Sequence, residues 1–163
     1  MLSAMSGTAW ADCTPQKSGF DAYGVAPLGD VSVAFMDAHA RREPACDLNG
    51  DASCEYRSKD GVWYYFVEGG IEQKEVDLTR LPPGQKAPFG LSTRDTDDDV
   101  GRKLKLGGIM TFHFVDSPKP SPWSETTGFC YLNDNGVAFA IEVKFDARGR
   151  LASYRTFTES SRD

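Results

Sequence analysis

At 163 residues and a formal charge of −6, the chain has the size of one domain or two very small ones, with room for a modest core. Its basic residues are scattered rather than clustered, which argues against nucleic acid and anionic membrane surfaces as partners. No stretch approaches the ~20 apolar residues of a membrane span, and an acidic surface steers association toward a cationic partner.

Ala9-Trp10-Ala11 followed by Asp12 has the small-x-small form of a signal-peptidase site, so residues 1–11 are expected to be the remnant of an export signal. Asp12 stands where a lipoprotein signal needs a small residue before Cys13, which argues against a lipid anchor. Four cysteines fit two disulfides in an oxidising compartment, periplasmic or secreted. Cys46 and Cys54 flank a polar, Gly-containing stretch that can bend back on itself, so they are paired, and Cys13 then pairs with Cys130. By chain-entropy reasoning the short loop stabilises by ~2.5 kcal/mol and the long one by nearer ~5 kcal/mol.

One local plan occurs twice, and it sets the expected fold class: α+β, as two tandem units of helix plus antiparallel sheet. The first unit spans 12–80, a linker with Pro82-Pro83-Gly84 spans 81–88, and the second unit spans 89–163. In the first, Asp30 suits the N-cap of a helix from Val31 to about Arg42, stopped by Pro44, with Val31, Ala34, Phe35 and Ala38 on one apolar face. Strands are expected at 55–59, 62–68 and 71–78, the first two joined by a turn at Asp60-Gly61. In the second unit Thr96 caps a helix whose first turn is Asp97-Asp98-Asp99 and which Gly107-Gly108 ends. A strand at 109–115, a stiff loop with Pro118, Pro120, Pro122 and Trp123, a hairpin over Asn135-Gly136 and a last strand at 151–157 complete it.

Strand faces single out the aromatic residues. With a two-residue turn at Asn135-Gly136, Leu132 lies across from Phe139, Cys130 across from Ile141 on the core face, and Tyr131 across from Ala140 on the outer face. With the turn at Asp60-Gly61, Tyr56 lies across from Tyr65, and Trp63 and Tyr65 share the face opposite Val62, Tyr64 and Phe66. That outer side is either covered by the second unit or is an aromatic patch of the kind that anchors protein interfaces.

Motifs for chemistry are sparse. Asp47-Leu48-Asn49-Gly50-Asp51 begins like a calcium loop, but Ala52 stands where the sharp turn needs Gly and Ser58 where a bidentate Glu belongs, so a disulfide-closed turn is preferred and no metal is expected. No nucleophile elbow or phosphate loop occurs, and neither His39 nor His113 has the context of a general base. No catalytic residue, enzyme activity or cofactor is expected.

The tandem of helix plus antiparallel strands, with Phe89-Gly90-Leu91, Asp99-Val100 and Leu104, and with the 145–151 hairpin around Ala147-Arg148-Gly149, resembles the β-lactamase-inhibitor-protein-like fold, one copy of which outer-membrane-assembly small lipoproteins share. The resemblance implies that aromatic residues on a concave sheet grip a target enzyme, with Tyr56, Trp63, Tyr65 and Tyr131 in that role; Trp123, in the proline-rich loop, is a separate candidate contact read from the loop itself. The family's disulfide within each copy does not carry over, because the second unit holds only Cys130. The expected function is an exported, non-catalytic binding module, inhibitor- or immunity-like, acting on an envelope enzyme or toxin. An envelope-assembly module and a small-ligand carrier or hydrolase are the alternatives.

Overall fold

The computed structural model describes residues 16–44, 46, 53–67, 69–106, 112–114, 123–126 and 131–158. The chain is α+β and dominated by sheet. Strands β1 (Gln16–Lys17) and β2 (Gly29–Asp30) precede helix α1 (Val33–His39), and a meander follows of β3 (Ala40–Arg42), β4 (Ser53–Ser58), β5 (Val62–Val67) and β6 (Gly70–Asp77). After helix α2 (Asp97–Lys103) come β7 (Phe112–Phe114), β8 (Trp123–Thr126), β9 (Tyr131–Leu132), β10 (Ala138–Phe145) and β11 (Leu151–Phe157). All join one sheet whose main path runs β3-β4-β5-β6-β11-β10-β8-β7. Its centre is the antiparallel pairing of β6 with β11, where Tyr154 faces Val76. β9 shares an edge of β10 with β8 and carries β1 in parallel, and β2 pairs with the start of β6.

Helix α2 matches expectation at its start. Thr96 accepts from the Asp99 N–H, and the Asp99 carboxylate accepts in return from the Thr96 N–H at 3.0 Å, a reciprocal capping box. Val100 and Leu104 are buried as expected. Helix α1 differs. Its cap is Ser32, whose hydroxyl accepts from Phe35 N, because Asp30 is held in β2 against Gly70. Its end comes early because Ala40–Arg42 pairs with β4. The apolar face differs too: Met36 is buried, whereas Phe35 is exposed and stacked on His39 at 4.0 Å.

Three hairpins are built alike, and they correct the expected registers. In Ser58–Val62, Asn133–Val137 and Asp146–Arg150 the glycine N–H donates to the carbonyl three residues back, at 3.1, 3.0 and 2.9 Å. The glycines, Gly61, Gly136 and Gly149, have φ of +87°, +75° and +73°. This is a type I turn closed by a left-handed glycine, a loop of three residues rather than two. The extra residue slips the pairing by one, which turns the side chains of the strand before the turn to the other face. Tyr56 therefore faces Tyr64 instead of Tyr65, and Tyr131 faces Phe139 instead of Ala140, while Leu132 faces Ala138.

The residue just before two of these loops ties the turn. Asp146 accepts from Arg148 N at 2.8 Å and Arg150 N at 3.0 Å, and Asn133 accepts from Asn135 N and Val137 N at 3.0 Å each. Those backbone donors hold the Asp146 carboxyl below the usual aspartate range, and the Thr96 hydrogen bonds do the same for Asp99. A carboxylate with a lowered folded pKa adds stability that is present above its unfolded pKa and is lost as pH falls through the folded value. Carboxyl carbon titrations from about pH 5 to about pH 2 should thus place both midpoints below ~3.9, and Asp146→Ala should flatten the acid side of the melting curve.

The inner face carries the core, with Tyr56, Tyr64, Phe66, Ile71, Phe139, Ile141, Val143 and Tyr154 essentially inaccessible to solvent. At its centre a polar clamp binds the 20–28 loop to the sheet. The Lys74 ammonium donates to the carbonyls of Asp21 (2.5 Å), Tyr23 (2.7 Å) and Ala26 (3.1 Å), and lies 2.8 Å from Asp21 Oδ1. Asp21 Oδ2 accepts from Leu28 N at 2.9 Å and from Asn133 Nδ2 at 2.8 Å. A lysine points inward here because the register of β6 shifts between the partners of Tyr65 and Phe66. Gln73 faces Tyr65 while Ile71 faces Phe66, so Glu72 is the extra residue of a bulge.

Cys46 and Cys54 form a disulfide, with Cα atoms 4.7 Å apart. Residues 1–11, read from sequence as an export-signal remnant, the expected Cys13–Cys130 pairing, the calcium-like stretch at 47–51, the glycines at 107–108 and the prolines at 118–122 lie outside the described residues.

Candidate functional site on the outer sheet face

Cross-strand pairs share a face, so the ladder aligns residues in rows. One row crosses the main path from β3 to β10: Arg41 (β3), Arg57 (β4), Trp63 (β5), Glu75 (β6), Arg155 (β11) and Glu142 (β10). A neighbouring row holds Glu55, Tyr65, Gln73, Phe157 and Ala140. Another holds Asp77, Ser153, Lys144 and Trp123.

The two halves of this face differ in accessibility. On the β10–β11 side Ala140, Glu142, Ser153 and Phe157 are buried. Arg155 is paired with Glu142 and its guanidinium lies over the Trp123 ring, 3.8 Å from the centroid. On the β4–β6 side the face is open: Glu55 and Arg57 are exposed, Tyr65 is 37% exposed, and Trp63, Gln73, Glu75 and Asp77 are half-buried. The Arg57 guanidinium lies over Trp63, 4.1 Å from its ring centroid. Burial pushes the Glu75 carboxyl up, with Arg155 opposing the shift.

The open half contains a groove of ≈ 900 Å³. Trp63, Arg57, Glu55 and Glu75 line it, His39 and Arg41 stand along one side, and Lys59, Arg80 and Pro82 border it as well. It is an open groove rather than an enclosed cavity. His39 sits at its rim, its ring stacked on Phe35 and its Nδ1 within 2.8 Å of the Phe35 carbonyl. No group of three His, Cys, Asp or Glu among the described residues is placed to hold a metal ion.

Of the residues singled out from sequence, Trp63 and Tyr65 share the open face and Trp123 lies on the same face beyond β11. Tyr56 and Tyr131 do not join them. Tyr56 is 0% exposed, with its hydroxyl donating to Asp37 at 2.9 Å. Tyr131 is 4% exposed and packs edge-on against Phe20 at 4.9 Å. Burial raises both phenol pKa values. The charged members of the site, Arg57, Glu75, Glu142 and Arg155, were missed because alternate charged residues in a strand read as a plain solvated face.

Compared with protein-family models, with characterised proteins and with solved structures, the chain matches none.

Proposed function

We propose that this chain is an exported, non-catalytic protein-binding module of inhibitor or immunity type, which grips an envelope enzyme or toxin with the open half of its outer sheet face. The observation that carries this reading is the placement of Trp63 and Tyr65, stiffened by Arg57, on an open sheet face instead of in the core. Burying such a ring stabilises a fold by roughly 2–3 kcal/mol, and Trp, Tyr and Arg are the residue types that dominate interface energetics. A sheet paired across its width presents them with little conformational freedom left to lose on binding.

The Cys46–Cys54 disulfide is consistent with an oxidising compartment. Support for a tandem, β-lactamase-inhibitor-protein-like arrangement comes from strand order. Each of two strand series, β3-β4-β5-β6 and β7-β8-β10-β11, follows a short helix, and the two meet through their last strands.

The test is affinity capture from periplasmic extract with the wild-type chain and a Trp63→Ala/Tyr65→Ala variant. The wild type should retain one partner protein, and the variant should bind it about a hundredfold or more weakly at unchanged fold. Asp134→Ala, on the distant β9–β10 hairpin, should bind like wild type. Equal capture by all three chains overturns the reading.

A further inference from the structure

We infer that the groove beside Trp63 is a carboxylate-capture site, built to receive an Asp or Glu side chain on an exposed loop of the protein partner. The inference rests on the protein-binding reading above and adds the chemistry of the partner. Three observations lead to it. The Arg57 guanidinium lies over the Trp63 ring, 4.1 Å from its centroid, a cation–π contact that holds the charge above the groove. Among the described residues no carboxylate is paired with Arg57, whereas Arg42, Arg80, Arg102 and Arg155 each have one.

The second observation is Arg41, the direct cross-strand partner of Arg57. Like charges in opposing positions of an antiparallel pair destabilise it, and among the described residues the carboxylate beside Arg41 is that of Glu43 at 3.7 Å. An anion between the two guanidinium groups converts that repulsion into a two-sided clamp. Lys59 and Arg80 also border the groove and extend the positive field.

The third observation decides the class of ligand. Glu55, Glu75 and Asp77 also line the groove. They repel a uniform polyanion such as a nucleic-acid backbone, and leave one local cationic spot above Trp63. A single carboxylate carried on a peptide fits that spot, and the planar fork of Arg57 can take it through two parallel hydrogen bonds.

The probes are a capped Gly-Gly-Glu-Gly-Gly pentapeptide, the same pentapeptide with Lys in place of Glu, sodium acetate and a 12-nucleotide single-stranded DNA, titrated at low salt against the ¹⁵N-labelled chain. The readouts are the Arg57 Nε–H and Trp63 Nε1–H signals. The glutamyl peptide should shift both, severalfold more tightly than acetate, and the shift should weaken as salt rises. Arg57→Gln should weaken binding of the glutamyl peptide about tenfold, and Arg57→Lys should recover less than half of that loss, because it keeps the charge but not the fork. Arg102→Gln, on α2, should change nothing.

Overturning results are no shift with the glutamyl peptide, an equal response to the lysyl peptide or DNA, or full rescue by Arg57→Lys. If the glutamyl peptide is silent while Trp63→Ala/Tyr65→Ala still abolishes partner capture, the carboxylate site fails and the binding face stands. If the glutamyl peptide binds at Arg57 while capture is insensitive to Trp63 and Tyr65, the anion site stands and the proposed function fails.

Discussion

Asp21→Ala should destabilise the protein by about 3–5 kcal/mol in urea unfolding, the largest loss expected of any single polar substitution in this chain. Lys74 is fully buried and Asp21 is 2% exposed, so removing the carboxylate leaves an ammonium without a counter-ion inside the core. It also strips the acceptor from Leu28 N and Asn133 Nδ2. Lys74→Met should cost a similar amount, because the Asp21 carboxylate loses its counter-ion and the Tyr23 and Ala26 carbonyls lose the donor they now accept from.

The double variant separates two accounts. A buried ion pair that merely balances charge can often be replaced by apolar groups at little cost. Here the ammonium is also the knot that closes the 21–26 loop onto β6. Asp21→Asn/Lys74→Met should therefore recover only part of the loss. Full recovery would show that the loop is held by its apolar contacts alone. Burial lowers the Lys74 pKa, with Asp21 opposing the shift.

Gly24→Ala should cost about 2–5 kcal/mol, from two sources that add. Gly24 has φ of +76°, a left-handed conformation that L side chains resist. A Cβ there also runs into the Tyr64 hydroxyl and crowds Val62 Cγ1 at 3.3 Å. The hydroxyl cannot simply retreat, since it accepts from Val25 N at 2.6 Å and burial raises its pKa to about 12. Gly24→Ala/Tyr64→Phe should be less destabilised than the sum of its single changes, because the second change removes the clashing atom. Strict additivity in thermal melts would show that backbone strain accounts for the whole cost.

The two substitutions touch the one region that sequence pattern conceals. Lys74 in a strand reads as solvent-facing, and simple alternation from Ile71 puts it on the polar side. Only the bulge at Glu72 reverses that parity, and nothing in a polar run such as Glu72-Gln73-Lys74-Glu75 announces where the extra residue falls. The partner, Asp21, lies in a loop far away in sequence. A contact of that kind is set by tertiary packing and has no local signature.

The hairpins were half legible. Asp60-Gly61, Asn135-Gly136 and Arg148-Gly149 mark the turns correctly, but a glycine before a strand serves two-residue and three-residue loops alike. What distinguishes them is the residue three positions before the glycine: Ser58, Asn133 and Asp146 all carry short polar side chains. Two of these accept backbone N–H groups that only the longer loop presents. That one-residue difference carried Tyr56 and Tyr131 from the expected outer face into the core. It did not move Trp63 or Tyr65, whose face follows from alternation within β5 itself. The start of α2, strand 151–157 and the Cys46–Cys54 pair were readable because each depends on neighbours in sequence.

The most direct measurement of the account is hydroxyl-radical footprinting of the chain alone and with its captured partner. In the free protein Tyr65 and Trp63 should oxidise well ahead of Tyr56, Tyr64, Tyr131 and Tyr154. In the complex Tyr65 and Trp63 should be protected together, while Phe35, exposed on α1, keeps its rate. Protection at Phe35 with Trp63 and Tyr65 unchanged would contradict the claim that the open half of the sheet is the gripping surface.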